Sequence, residues 1–170
     1  FDKARFVTDH LEVARLTQNK YYPRYWKQRR SDYKFSLDYG IGRSSCHFVG
    51  HMDHLNQFDV IVGTNDALSN GLAYNKKIGK LQAKIVFLAM GSGRILEGIR
   101  GFSSDRYQRY KTELGGLLDQ CAAILLLGKG EYNLFLKEFP QYSDRIKWWP
   151  FGVDTEFWTP GNYLNSRLDT

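Results

Sequence analysis

The chain has 170 residues, 42% of them hydrophobic and 15% aromatic, and a formal net charge of +6. That is the length of one domain with enough apolar material for a core, and no apolar run reaches the roughly 18–20 residues that would cross a bilayer. Two cysteines, Cys46 and Cys121, make no disulfide framework and suit a reducing cytoplasm.

The chain opens at Phe1 without the charged-then-apolar pattern of a signal peptide, so a trimmed or excised terminus is expected. Residues 4–10 read as a first parallel strand, short and apolar, with Asp9 and His10 at its carboxyl end. In an open α/β sheet that end is where ligands bind. A second reading makes residues 11–17 the second strand and 1–10 the end of a helix, which would leave the sheet without its central strand.

Residues 22–39 read as a helix, with bulky residues at 22, 26, 29, 33 and 36–37 expected on the face that packs against the sheet. Pro23 suits a first turn and Gly40 the position just past the end. Six basic residues (Lys20, Arg24, Lys27, Arg29, Arg30 and Lys34) stand here against Asp32 alone, six minus one, a local balance of +5. Mixed with Tyr21, Tyr22, Tyr25, Trp26 and Tyr33, these cations suit an anionic membrane surface, where each near the lipid is worth about 1 kcal/mol. The competing reading is a solvated helix face with its aromatics in the core. No recognised nucleic-acid module stands beside the segment, so nucleic acid is not an expected partner.

Residues 46–49 suggest a weak strand. Cys46, His47, His51 and His54 invite a zinc reading, but the stretch straddles a strand–turn boundary, and no metal is expected. Residues 58–63 form a strong β-branched strand, and Asn65 or Asp66 caps a helix running to about residue 79. Residues 84–90 are the next strand, broken by Gly91-Ser92-Gly93. The amides of that turn could cradle a phosphate with Arg94 pairing to it. The turn is neither a G-x-G-x-x-G nor a Walker loop, and residues 94–100 lack the apolar helix that either needs. Ser104 caps a longer helix whose apolar face is Tyr107, Tyr110, Leu114, Leu117, Leu118 and Cys121. Residues 123–127 are a strand. Residues 129–139 are a helix stopped by Pro140, with Glu131 complementing its dipole. Residues 145–149 are the last strand, stopped by Pro150. Gly152 then permits a tight turn, Asp154 can accept from backbone N–H groups beyond it, and Phe151, Phe157 and Trp158 anchor the crossing before Pro160-Gly161. Strands alternating with helices at this spacing predict an α/β fold, a Rossmann-like parallel sheet with helices on both faces.

The last of these stretches, a strand ending in Pro150 and then Gly152-Val153-Asp154-Thr155-Glu156-Phe157-Trp158-Thr159-Pro160, resembles the interdomain crossover of retaining glycosyltransferases of the GT-B fold, especially glycosyltransferase family 4. The likeness extends over most of the chain, since residues 4–10 resemble that family's opening strand. It implies an acceptor-side domain over residues 1–160, with 161–170 starting the linker to a donor-binding domain, and Gly152 and Asp154 forming the crossover. The implied activity is transfer of a sugar from a nucleotide sugar to a glycan or lipid-linked acceptor, without metal or other cofactor, and none by this half alone. The family's paired glutamates and phosphate-binding cations belong to the other half, so this half assigns no catalytic residue. Candidates for polarity here are Asp9, His10, Asn65, Asp66 and Ser92, with Gly91, Ser92, Gly93 and Arg94 at the substrate. Lys20, Arg24, Trp26, Lys27, Arg29 and Arg30 form a membrane or acceptor surface, which fits a cytoplasmic enzyme peripheral on the inner face of the membrane. The sequence departs from the family in three places: residues 11–20 hold no glycine, Met90-Gly91 stands where many members carry a histidine, and Lys129-Gly130-Glu131 replaces a Ser-x-x-Glu helix start. Two other classes remain open: a stand-alone Rossmann-like module for a phosphorylated ligand, and a basic membrane-surface-binding domain.

Overall fold

A computed structural model describes residues 22–101, 103–150 and 152. The strand expected at 4–10, with Asp9 and His10, lies outside these residues, as do Lys20, Asp154 and the linker.

The order of elements is helix α1 (Tyr22–Tyr39), a 3-10 turn (Ser45–Phe48), α2 (Met52–Leu55), β1 (Val60–Gly63), α3 (Asp66–Lys77), β2 (Lys84–Ala89), α4 (Ser92–Arg100), α5 (Ser104–Leu118), β3 (Cys121–Leu126), α6 (Lys129–Glu138), a second 3-10 turn (Pro140–Tyr142) and β4 (Ile146–Trp148). The four strands pair in parallel in the order β1-β2-β3-β4, with a register shift between Ile85 and Val86. This is a Rossmann-like α/β sheet flanked by helices. Each strand lies beside its neighbour in sequence, so right-handed crossovers bring α3, α4 with α5, and α6 to one side of the sheet.

The strand side chains obey the period of two. Ile85, Phe87, Ala89, Ile124, Leu126 and Ile146 point to the helical side and are buried with Leu72, Leu96, Tyr110, Leu114, Leu117, Leu118 and Phe135. The opposite face carries Val60, Val62, Val86, Leu88, Ala123 and Leu125, half-buried or exposed. The layer expected over that second face is not among the described elements. No described helix is long and apolar enough to cross a membrane.

Four details depart from the sequence reading. Helix α1 has the expected bounds, and Gly40 follows it at φ +73°, but it is rotated about its axis, so that positions 26, 29, 33 and 37 face outward and, among the described side chains of the expected face, only Ser36 stays inward. Tyr25, Gln28, Asp32, Phe35, Ser36 and Tyr39 face inward, while Trp26, Tyr33 and Leu37 are exposed. The helix packs chiefly on the Ser45–Phe48 turn and on α5 rather than on the sheet. The cause is Asp32. Its carboxylate accepts from Arg43 Nε at 2.8 Å, the Cys46 N–H at 2.8 Å, Gln28 Nε2 at 3.1 Å and the Ser45 hydroxyl. Arg43 is itself held between the rings of Phe35 and Tyr74, 4.2 and 3.8 Å from their centroids. A buried charge satisfied this fully outweighs the hydrophobic stripe in setting the helix's rotation.

The same carboxylate explains the second departure. Residues 46–49 are not a strand, because Asp32 takes the Cys46 amide and draws the chain into a 3-10 turn. Gly71 lets this turn approach α3, since a Cβ there would stand 2.9 Å from the backbone of Ser44 and Ser45. Third, residues 92–100 do form a helix, α4, packed through Leu96 and Ile99. Fourth, α5 is capped one residue early, by Ser103, whose hydroxyl accepts from the Arg106 N–H, and Cys121 opens β3 instead of ending the helix.

Candidate functional site

The carboxyl ends of the four parallel strands bring together the turns after Gly63, Ala89, Leu126 and Trp148. Their centre is the turn Gly91-Ser92-Gly93, which starts α4, and two carboxylates hold it from either side. Asp66, the first residue of α3, accepts from the Ser92 hydroxyl at 2.8 Å and from the Met90 N–H at 3.1 Å. Glu131, in the first turn of α6, accepts from the Gly93 N–H at 2.8 Å. Any residue larger than glycine would displace Glu131, because a Cβ on residue 93 would stand 2.6 Å from its Cγ. From below, the buried Tyr110 hydroxyl donates to the Ser92 carbonyl at 3.4 Å.

The N-terminus of a helix offers unpaired amides and a positive dipole end, and here carboxylates from the two flanking βα units answer them. Their partners are neutral, so burial dominates. Burial raises Asp66 above the ordinary carboxylate range, with the Ser92 hydroxyl and Met90 amide partly opposing it. Burial likewise raises Glu131, the Gly93 amide opposing and the charges of Asp66 and Glu97 adding. Burial also lifts the Tyr110 hydroxyl well above its usual value, which keeps it a donor.

This geometry redistributes the expected roles. Asp66, Ser92 and Gly93 do meet. Asn65 does not join them, because its side chain caps α3 by accepting from the Leu68 N–H at 2.9 Å. Arg94 is exposed. The Gly93 amide expected to cradle a phosphate is already bonded to Glu131. Sequence reading saw Glu131 only as a complement to the dipole of its own helix. The signal that it serves α4 is a pairing of Gly93 with an acid 38 residues later, which no local pattern displays. At the same edge of the sheet stand two exposed tryptophans, Trp148 and Trp149. The Trp148 indole donates to the Leu127 carbonyl at 3.4 Å, and Lys129 Nζ lies 5.7 Å from its ring centroid. Gly152, beyond them, is exposed, with nothing within 4 Å of where a Cβ would stand.

The Cys46–His54 stretch is divided among other contacts. The Cys46 thiol is pushed up to about 11, first by burial and then by the Asp32 charge. His47 meets the ring of Tyr25, and His54 that of Phe58. Among the described residues no group of three His, Cys, Asp or Glu is placed to hold a metal ion. Arg24, Trp26, Lys27, Arg29 and Arg30 all lie exposed on α1.

Fold and site together define a Rossmann-like α/β domain with a carboxylate-lined turn at the ligand end of its sheet. No protein-family model, curated protein or solved structure matches the chain.

Proposed function

We propose that the chain is the acceptor-side domain of a retaining glycosyltransferase of the GT-B type, which transfers a sugar from a nucleotide sugar to a glycan or lipid-linked acceptor when joined to a donor-binding domain. The observation that carries this reading is the convergence of Asp66 and Glu131 on the Gly91-Ser92-Gly93 turn. The crossover-like wording of residues 145–160 and the parallel sheet support it.

An ionised carboxylate has about four acceptor sites and uses only some of them on the protein, so two such groups at a strand edge suit the hydroxyls of a sugar. The exposed rings of Trp148 and Trp149 at the same edge offer an apolar body with a polar tip, the kind of surface that covers a sugar's C–H face. A phosphate at this turn would meet two carboxylates of its own sign and an amide already spent. The stand-alone phosphate-binding module is therefore the weaker reading. In the joined enzyme Asp66 and Glu131 would orient the acceptor hydroxyl. Rate would come from bringing it against the activated sugar in a closed cleft.

Calorimetry on the 170-residue chain tests this reading. With a panel of nucleotide sugars and with pyrophosphate, the expected dissociation constants are no tighter than about millimolar, an affinity of roughly 4 kcal/mol. Micromolar binding of any of them would overturn the two-domain reading in favour of the phosphate-binding module.

A further inference from the structure

We infer that the cleft between α1 and the loop over residues 42–47 binds a small polyhydroxy ligand through a phosphate or carboxylate group, with Arg43 and Arg29 as its cationic partners. The inference does not rest on the transferase reading. The cleft shares no residue with the site around the Gly91-Ser92-Gly93 turn, so either can fail while the other stands.

Three observations carry it. The first is the cleft itself, about 500 Å³, which is the size of a small-molecule site. Tyr25, Arg29, Asp32 and Ser36 follow steps of four, three and four, a single face of α1, and form one wall. Arg43 and Ser44 stand on the other wall, with Ala67 of α3 beside them. The Ser44 N–H donates to the Ala67 carbonyl at 2.9 Å, which ties that wall to the first turn of α3.

The second is the state of Arg43. Its side chain is 3% exposed, and the rings of Phe35 and Tyr74 cover the guanidinium faces. Nε donates to Asp32 at 2.8 Å and Nη2 to Ser31 at 3.1 Å. Nη1 has no hydrogen-bond partner among the described residues, so its N–H groups are left for a ligand that enters the cleft. A buried donor costs free energy until something accepts from it.

The third is that the cleft keeps no carboxylate free. Asp32 is the only acid that lines it. A carboxylate has about four acceptor sites, and Arg43, the Ser45 hydroxyl, the Cys46 N–H and Gln28 take those of Asp32. Arg43 also matches its charge. Arg29, exposed on the α1 wall, is then a cation without an acid to answer it inside the cleft.

A ligand here meets donors, the reverse of the turn at residues 91–93, where Asp66 and Glu131 offer acceptors. An oxyanion can accept from Arg43 and Arg29 together, in charge-assisted hydrogen bonds. The hydroxyls of Tyr33, Ser36 and Ser44, all lining the cleft, suit the ligand's own hydroxyl groups. A neutral ligand would leave the cations unanswered, and a cationic one would be repelled by them.

NMR titration of the full chain with glycerol phosphate, glucuronate and glucose tests the inference. At millimolar concentration at least one of the two anions should shift the amides of Ser36, Gly42, Ser44 and Ala67, and less so as salt rises. Glucose should leave them in place. The tighter of the two anions names the oxyanion, and equal binding assigns the charge alone. Arg29→Gln should weaken binding by about tenfold, the scale of one charge-assisted hydrogen bond. It should melt with the parent, since an exposed charge contributes little to stability. Ser36→Leu fills the cleft while leaving both cations, and should abolish the shifts. The parent's own shift map needs no variant, so the test survives a variant that folds poorly. Two anions that both leave these amides unmoved would overturn the proposal. So would glucose that binds as tightly as the anions, an Arg29→Gln variant that binds like the parent, or shifts centred on residues 91–93.

Discussion

Helix α6 carries two glutamates seven residues apart on one face, and they hold the two ends of α4 through partners of different charge. Glu131 meets the N-terminus of α4 through the Gly93 amide. Glu138 meets its C-terminus through Arg100 at 2.9 Å, and also accepts from Lys111 Nζ at 3.0 Å and from the Tyr107 hydroxyl. Burial disfavours the charge of both. For Glu138 the hydrogen bonds and cations outweigh burial, and the carboxyl is held below the ordinary range. Glu131 has no cation among its partners and is held above it. Partner charge therefore separates a carboxylate that fastens the fold from one left available for chemistry. Asp66 belongs with the second kind.

The largest effect that could break this contrast is at Glu138. Replacement by Ala strips three donors of a shared, 4% exposed acceptor. Arg100 and Lys111 remain near water, which softens the loss, so about 2 kcal/mol is expected by chemical denaturation. The sign with pH follows from the lowered carboxyl. Its stabilisation is fully present above the unfolded value of about 4.3 and is lost as pH falls through the lower folded value. The Glu138→Gln variant should lose the part of the parent's acid limb that this group supplies. A Glu138→Ala loss below about 0.5 kcal/mol, or an unchanged acid limb in Glu138→Gln, would show that Glu138 does not fasten α4 to α6.

A smaller effect sharpens the other end. Gly93→Ala must push Glu131 off the amide, at a cost of about 1 kcal/mol for the lost cap, reduced by the better helix propensity of Ala. In a Glu131→Ala background the three atoms nearest that Cβ are gone, and the same change should be close to neutral. Equal costs in the two backgrounds would mean that Glu131 is not seated on residue 93.

Much of the sheet was legible because its strands are short and largely apolar and alternate with helices, two of them opened by side-chain caps at Asn65 and Ser103. Proline at residue 23 and glycine at residue 40 marked the ends of α1. What sequence periodicity could not supply was the phase of α1. Trp26, Tyr33 and Leu37 look like core, and only the buried network of Asp32 with Arg43, Ser45 and Cys46 turns them outward. Helix α4 was missed for a related reason: Gly93 and Gly98 argue against a helix locally, while its ends are held by Glu131 and Glu138 from a later unit. The Gly91-Ser92-Gly93 turn was readable as a strand-end site. Its occupancy by Asp66 and Glu131 was not, because both contacts cross between βα units.

A pH titration of the side-chain carboxyl carbons by NMR addresses the contrast most directly, since Glu131, Glu138 and Asp66 report separately in one experiment. Glu131 and Asp66 should titrate above the ordinary carboxylate range and Glu138 below it, and in Gly93→Ala only Glu131 should change appreciably, once its cap is broken. Three carboxyls titrating together at ordinary values would contradict the division between a fastening acid and two available ones, and with it the placement of the candidate site.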